Sequence, residues 1–338
     1  MINKKAKLAK KIFEKDIEMV ATRQGYGEGL VIAGEKDERV VVLCADLTES
    51  TRSILFQEKF PERFIEVGVA EQALATIAAG MANYGKIPFI SSYAVFSPGR
   101  NWEQIRTTIA LNDVPVKIAG AHAGLTVGPD GATHQALEDI ALMRAMPNMT
   151  VIAPADAIEA RKTTVEAAEN GKPTYIRFAR EKTPVFTTDA TPFRIGRAEI
   201  LWGPSTGSGR HGDPLVAIVA CGPLVYEALL AAKALEKIGI EVLVINSHTI
   251  KPIDEKEIIR AAKITGAVVT VEEHQITGGL GGAVAEVLSR NYPVPMEFVG
   301  MPDSFGESGS PDELLEKYGL KAKHIIEAVK RVVSRKTI

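Results

Sequence analysis

The chain predicts an α/β protein built as two doubly wound domains with mainly parallel sheets. Three observations carry that expectation. Short apolar runs rich in β-branched residues alternate with helical patterns from Val40 onward. The alternation lapses after Arg180, where proline, threonine, glycine and serine accumulate. It then resumes in the same style to the end of the chain. The expected division is a first domain over 1–187, a linker and surface loop over 188–213, and a second domain over 214–338.

The N-terminal stretch MINKKAKLAKKIFEKDIEMV is basic and spaces Leu8, Ile12 and Ile17 like one face of a helix. No continuous apolar run follows, so a capping helix is expected rather than a signal or transit peptide. The strands of the first domain are VVLCA, IPFISSY, VPVKIAGA, MTVIAP and TYIRFA, with helices at 70–84, 102–111, 137–145 and 157–168. Asp156 and Glu159 have capping-box spacing, and Asn170-Gly171 closes that helix. Between the domains, the Gly/Ser content of 205–213 suits a hairpin tip or surface loop. The second domain offers strands PLVAIVA, IEVLVIN, AVVTVEE and MEFVG and helices near 224–237, 254–263, 283–290 and 311–318. Ser310-Pro311 with Glu313 is a helix start by its N-cap, first-turn proline and capping box.

Composition narrows the classes of partner. With 338 residues, 46% hydrophobic and 24% charged, the chain can bury two ordinary cores. Forty basic against forty-two acidic side chains leave a net charge of −2, which offers no field for a nucleic-acid backbone or an anionic membrane. No apolar stretch reaches membrane-spanning length, since residues such as Asn83 and Lys117 interrupt each candidate. Cys44 and Cys221 sit in separate apolar runs without metal-ligand spacing, as small core residues of a reducing cytoplasm would.

The richest chemistry lies in HAGLTVGPDGATHQALED, from His122 to Asp139, where two of the six histidines flank Asp130 on a glycine-studded stretch. In EVGVAEQALATIAAGMANYG, Glu66 and Glu71 flank a small-residue turn and Glu71 opens an alanine-rich helix. Glu71 reads two ways: an acid favoured by the helix dipole, or one desolvated among Val67, Val69, Ala70 and Ala73 that can share a proton with a ring nitrogen. Tyr93 and Phe96 follow a strand end, where ligands of open α/β sheets bind, although core packing is the commoner fate of such aromatics. Arg23, Arg177 and Arg180 sit at strand or helix ends and have the fork geometry for phosphate. Asp46, Thr48 and Ser50 lie at another strand end, with turn and capping duty as the plain alternative. Gly278, Gly279, Gly281 and Gly282 fit neither GxGxxG nor GxxxxGK[ST]. Glu272, Glu273 and His274 alternate faces along a strand, so a structural role is expected for them.

Taken together, VGVAEQ, ISSYAVF, HAGLTVGPDGATHQALED, MPNMTVIAPAD and PTYIRFARE resemble the pyrimidine-binding domain of transketolase, and VEEHQITGGLGGAVAE resembles its C-terminal domain. The resemblance runs over nearly the whole chain. It implies a thiamine diphosphate-dependent transfer of a two-carbon ketol unit between sugar phosphates, in the carbohydrate chemistry of the pentose phosphate pathway. It also implies site roles: Glu71 on N1′ of the aminopyrimidine, Tyr93 and Phe96 lining that ring, and Asp46 close to the cofactor. His122, Asp130 and His134 would face the sugars, with Asp130 near the C2 hydroxyl, and Arg23, Ser50 and Arg180 would hold the terminal phosphate. Where the family commonly offers a third aromatic, this chain has Gly99.

The family's diphosphate- and metal-binding domain carries a GDG motif, and this chain has no such triplet. The resemblance therefore implies an N-terminal-section transketolase chain as partner, supplying the diphosphate site and the ligands for Mg²⁺ or Ca²⁺, in an α2β2 assembly with self-dimerisation. Two related families compete: the C-terminal half of a 1-deoxyxylulose-5-phosphate synthase, which usually lacks a histidine at the His122 position, and the beta chain of a 2-oxo acid dehydrogenase, which typically lacks the DGATHQ segment. A non-catalytic scaffold or regulatory subunit is the reading from a different class.

Overall fold

The computed structural model describes residues 1–203 and 216–336, so the loop expected at 205–213 lies outside the described residues. In chain order the first unit runs β1 (Met19–Ala21), α1 (Thr22–Lys36), β2 (Val40–Cys44), α2 (Ile54–Lys59), β3 (Phe64–Glu66), α3 (Glu71–Asn83) and β4 (Ile87–Tyr93). It continues with α4 (Trp102–Gln104), which runs into a π-helical stretch, Ile105–Ala110, then β5 (Lys117–Ala121), α5 (Asp139–Arg144), β6 (Thr150–Ile152), α6 (Ala157–Glu169), β7 (Thr174–Arg177) and β8 (Lys182–Pro184). The second unit runs β9 (Glu199–Trp202), β10 (Val216–Ala220), α7 (Leu224–Lys237), β11 (Val242–Asn246), β12 (Thr249–Lys251) and α8 (Glu255–Thr265). It ends with β13 (Val268–Gln275), α9 (Leu280–Asn291), β14 (Met296–Met301), α10 (Pro311–Lys317) and α11 (Ala322–Ser334).

The first sheet has seven strands in the order β12-β6-β7-β5-β4-β2-β3. All neighbours are parallel except β12, which the second unit contributes and which pairs antiparallel with β6. The second sheet, β14-β13-β10-β11-β9, is parallel apart from β9. β1 and β8 form a separate antiparallel ribbon. Strands such as β2 (VVVLC) and β10 (VAIVA) are buried at every position, because helices cover both faces of a parallel sheet and leave no side for polar alternation. Cys44 and Cys221 are free and buried within these cores. Among the described residues, no helix is long and apolar enough to cross a membrane.

Three local expectations need correction. The N-terminal stretch does not form a capping helix; beyond a short 3-10 turn at Lys4–Ala6 it is a strap whose apolar side chains join the core of the second unit. Ile12 is buried, its carbonyl accepts from Tyr226 Oη at 2.8 Å, and Phe13 packs edge-on to Trp202. Tertiary burial of these side chains overrides a short amphipathic pattern that is marginal alone. The second correction is α1, which the sequence reading lacks because four glycines break its helical signal. They serve close packing: a Cβ on Gly25 would stand 1.8 Å from the Ala157 carbonyl oxygen of α6, and one on Gly29 would stand 2.6 Å from Thr164 Cβ. The third concerns α6, where Asp156 caps Glu159 N as expected, but Glu159 turns to Ala155 N instead of completing the box. At α10 the reciprocal Ser310 and Glu313 box is complete.

Candidate active site

Parallel strands deliver their carboxyl ends to one edge of the first sheet. β2 leads into Asp46 and Ser50, β4 ends at Tyr93, β5 leads into His122, and β7 leads towards Arg180. Register places Tyr93 opposite Ala121, so His122 emerges beside the Tyr93 ring. The two rings stack with centroids 4.1 Å apart at 24°. Phe96 lies 6.1 Å from Tyr93 at 20°, and His134 meets both aromatics edge-on at 6.4 and 5.6 Å. The four rings thus form one cluster across two strand ends and the loop that follows β5.

Arg23, in the first turn of α1, reaches into this cluster. Its Nη1 donates to the Ser50 carbonyl oxygen at 2.7 Å and lies 3.0 Å from His122 Nε2. Among the described residues Arg23 has no ion-pair partner, and burial lowers its pKa from the ordinary value. His122 is 3% exposed, with a left-handed backbone (φ 51°). A guanidinium has no lone pair to offer, so His122 Nε2 accepts and the ring proton sits on Nδ1. That Nδ1 is buried with no partner in the structure. Burial first, then the charges of Arg23 and Arg180, push the His122 pKa down to about 3. The ring is therefore neutral at physiological pH and presents one free donor. Arg180 Nη1 donates to the Val127 carbonyl oxygen at 2.7 Å and stands 3.4 Å from Asp130 Oδ1.

Glu71 begins α3 and is 2% exposed. Its expected surroundings are only partly right, because Val69 is 70% exposed. The cover comes from the segment after Phe96. Arg100 Nη1 donates to Glu71 Oε2 at 3.1 Å and lies over the Phe96 ring at 5.1 Å. Asn101 Nδ2 binds the Glu71 carbonyl oxygen at 2.9 Å and Ser97 Oγ at 3.2 Å. Sequence reasoning missed Arg100 and Asn101; their place directly after the aromatic pair is the signal that could have found them. Gly99 holds no third aromatic for a backbone reason, since a Cβ there would stand 2.0 Å from the Val95 carbonyl oxygen. Asp46 is exposed, with φ 56°, and its N–H binds the Glu66 carboxylate, which also accepts from Thr48 Oγ1 and Gly68 N. Glu66 thus ties the turn after β2 to the one before α3.

The other candidates are structural. Arg177 is buried and pairs with Asp139 at 2.8 Å, leaving no fork for a phosphate. Glu272 accepts Leu280 N and Gly281 N at 2.7 and 2.8 Å, so a carboxylate already fills the N-terminus of α9. Burial pushes the Glu272 pKa up to about 7, with those two N–H groups opposing. No group of three or more acidic, histidine or cysteine side chains among the described residues could hold a metal ion.

Residues 18–185 match the transketolase pyrimidine-binding domain, and residues 209–325 match the transketolase C-terminal domain. A Methanocaldococcus jannaschii protein, provisionally named as a transketolase C-terminal section, is 46% identical over 316 residues, covering 91% of this chain and 96% of its own length. The 6-deoxy-6-sulfo-D-fructose transketolase subunit of a Clostridium species (strain MSTE9) is 40% identical over 324 residues, covering 96% and 98%. A solved structure described as a split gene transketolase, inactive beta4 tetramer, superposes with a TM-score of 0.86 at 46% identity, covering 94% of this chain and all of that one. Sequence and fold agree along both units, and the chain belongs to the transketolase family, of which it carries the pyrimidine-binding and C-terminal domains.

Proposed function

We propose that this chain works in the cytoplasm as one subunit of a two-chain transketolase that moves a two-carbon ketol unit from a ketose phosphate to an aldose phosphate. An N-terminal-section chain would supply the diphosphate site and the Mg²⁺ or Ca²⁺ ligands, in an α2β2 assembly in which this chain also pairs with its own copy. When bound, thiamine diphosphate supplies the carbon nucleophile that cleaves the ketose and carries its fragment. The observation that carries this reading is the His122 Nδ1–H, buried without a partner beside Tyr93 and fixed in direction by Arg23. A buried donor left open in this way fits a carbonyl or hydroxyl oxygen of a ligand.

The residues fit the cofactor's ring as well. Glu71, buried at the start of α3, would hold N1′ and exchange its proton there, while Tyr93 and Phe96, inclined by 20°, would line the ring and Asp46 would lie near it. His122 would donate to the sugar as charge develops on its oxygen, His134 would approach from the loop's far end, and Asp130 would accept from the C2 hydroxyl. Arg23, Ser50 and Arg180 would hold the terminal phosphate. A terminal sulfonate is the second reading of that subsite, favoured by the 40% identical relative named for 6-deoxy-6-sulfo-D-fructose, since both groups are tetrahedral anions.

The test is reconstitution with an N-terminal-section chain, thiamine diphosphate and Mg²⁺ or Ca²⁺, assayed with sugar phosphates and with a sulfosugar. Ketol transfer that needs both chains is the expected result. Full activity of this chain alone would overturn the partnership, and consumption of pyruvate by the complex would favour one of the two rival families.

A further inference from the structure

The loop between His122 and His134 is held from behind by the second unit. Its 3-10 turn, Leu125–Asp130, opens with N–H groups that have no partner inside the turn. Glu273, on β13 and 2% exposed, places Oε1 2.6 Å from Thr126 N. Gly124 is shaped around the same carboxylate: its φ is +92°, and a Cβ there would stand 2.5 Å from Glu273 Oε1. The next carbonyl along the turn, that of Val127, is the one that accepts Arg180 Nη1 at 2.7 Å. A short covalent and hydrogen-bonded path therefore runs from a buried acid of the second unit to a guanidinium of the first. Arg177 braces its origin, with Nη2 on the Glu273 carbonyl oxygen at 2.8 Å and on that of Ala136 at 3.2 Å.

We propose that Glu273 is a positioning residue through which the C-terminal domain sets the His122–His134 loop and, by way of Thr126 and Val127, the Arg180 guanidinium that meets the anionic end of the sugar. The kinetic part of this assignment rests on the function proposed above; the mechanical part does not. Glu273 is buried on β13 behind the loop, and its effect is transmitted through Thr126. Glu273→Met keeps the volume and removes the acceptor, whereas Glu273→Gln keeps an acceptor oxygen.

Amide hydrogen exchange on the full chain, followed peptide by peptide, reads the clamp directly. In E273M the amides of 125–136 should exchange about tenfold to a hundredfold faster, the range for a buried N–H left without its acceptor, while those of β13 keep their protection. E273Q should stay within about threefold of the parent chain, since it retains the acceptor. In the reconstituted complex, E273M should raise KM for the sugar phosphate about tenfold, with kcat and the concentration of thiamine diphosphate needed for half-activity nearly unchanged, and E273Q should restore KM. Unchanged loop exchange in E273M overturns the proposal, as does an E273Q variant impaired as badly as E273M. If E273M does not fold, Glu273→Leu, smaller and likewise without an acceptor, carries the same two readouts. A parent complex without ketol transfer would refute the proposed function, while the exchange experiment still decides the clamp.

Discussion

One nitrogen of Arg23 binds the Ser50 carbonyl oxygen at 2.7 Å and approaches His122 Nε2 at 3.0 Å, so the start of α1 decides which nitrogen of a ring beyond β5 carries the proton. That contact joins three segments of chain and orients His122, while burial first and the Arg23 charge second keep the ring neutral, with Nδ1 left buried and unpartnered. Several measurable consequences arise from it and from the packing that supports it.

His122 should show no titration between about pH 5 and 8, and its nitrogen signals should report the Nδ1–H form throughout. Its pKa falls from 6.5 in the unfolded chain to about 3 in the fold, so the unfolded chain binds more protons between those values. Stability from this site is complete above about pH 6.5 and is lost as pH falls towards about 3, with a slope of up to ~1.4 kcal/mol per pH unit. Denaturant unfolding of His122→Asn across that window should show a shallower slope. Some slope will remain, because buried His248 is also lowered to about 3 by desolvation.

Replacing Arg23 with Met should raise KM for a sugar phosphate by roughly tenfold to a hundredfold, the scale of one charge-assisted bond. It should also raise the His122 pKa, since Arg23 is the main charge opposing protonation there after burial itself. Kinetics on the complex and histidine titration of the free chain check the two effects separately.

Glu71→Gln should lower kcat of the reconstituted complex by about a hundredfold to ten-thousandfold, the usual span for a lost acid or base. The amide can still accept from Arg100, a partner that is itself 52% exposed, so the melting temperature should hardly move. An unchanged rate would favour the scaffold reading or a different acid.

Gly25→Ala should destabilise the chain by about 1–3 kcal/mol, because its new methyl meets the Ala157 carbonyl of α6 and the two helices must part. Arg23 lies two residues away, so the same variant should weaken substrate binding. Equilibrium unfolding and KM test these together.

Arg177→Met should cost about 3–5 kcal/mol, since it strands Asp139, which is buried and loses its ion-pair partner. The double variant Arg177→Met/Asp139→Leu should recover part of that loss. A double-mutant cycle in denaturant measures the difference.

Much of the candidate site was legible because its residues follow strand ends, where a short motif and the chain's direction say the same thing. Tyr93, His122 and Arg180 are of this kind. The helix carrying Arg23 was hidden, since glycines that let it pack closely against α6 and against residues 52–60 erase the pattern that announces a helix. The partners Arg100 and Glu273 lie 29 and 147 residues from the groups they hold, and no local periodicity encodes such meetings. The N-terminal strap failed for the converse reason: its pattern was real, and a neighbouring surface used it differently.

The strand Thr249–Lys251 crosses from one unit to finish the other's sheet. Severed from its companion, the first unit would present Thr150–Ile152 as a naked border, ready to recruit whatever extended peptide came by. The first unit expressed without Thr249–Lys251 should therefore be prone to edge-to-edge association.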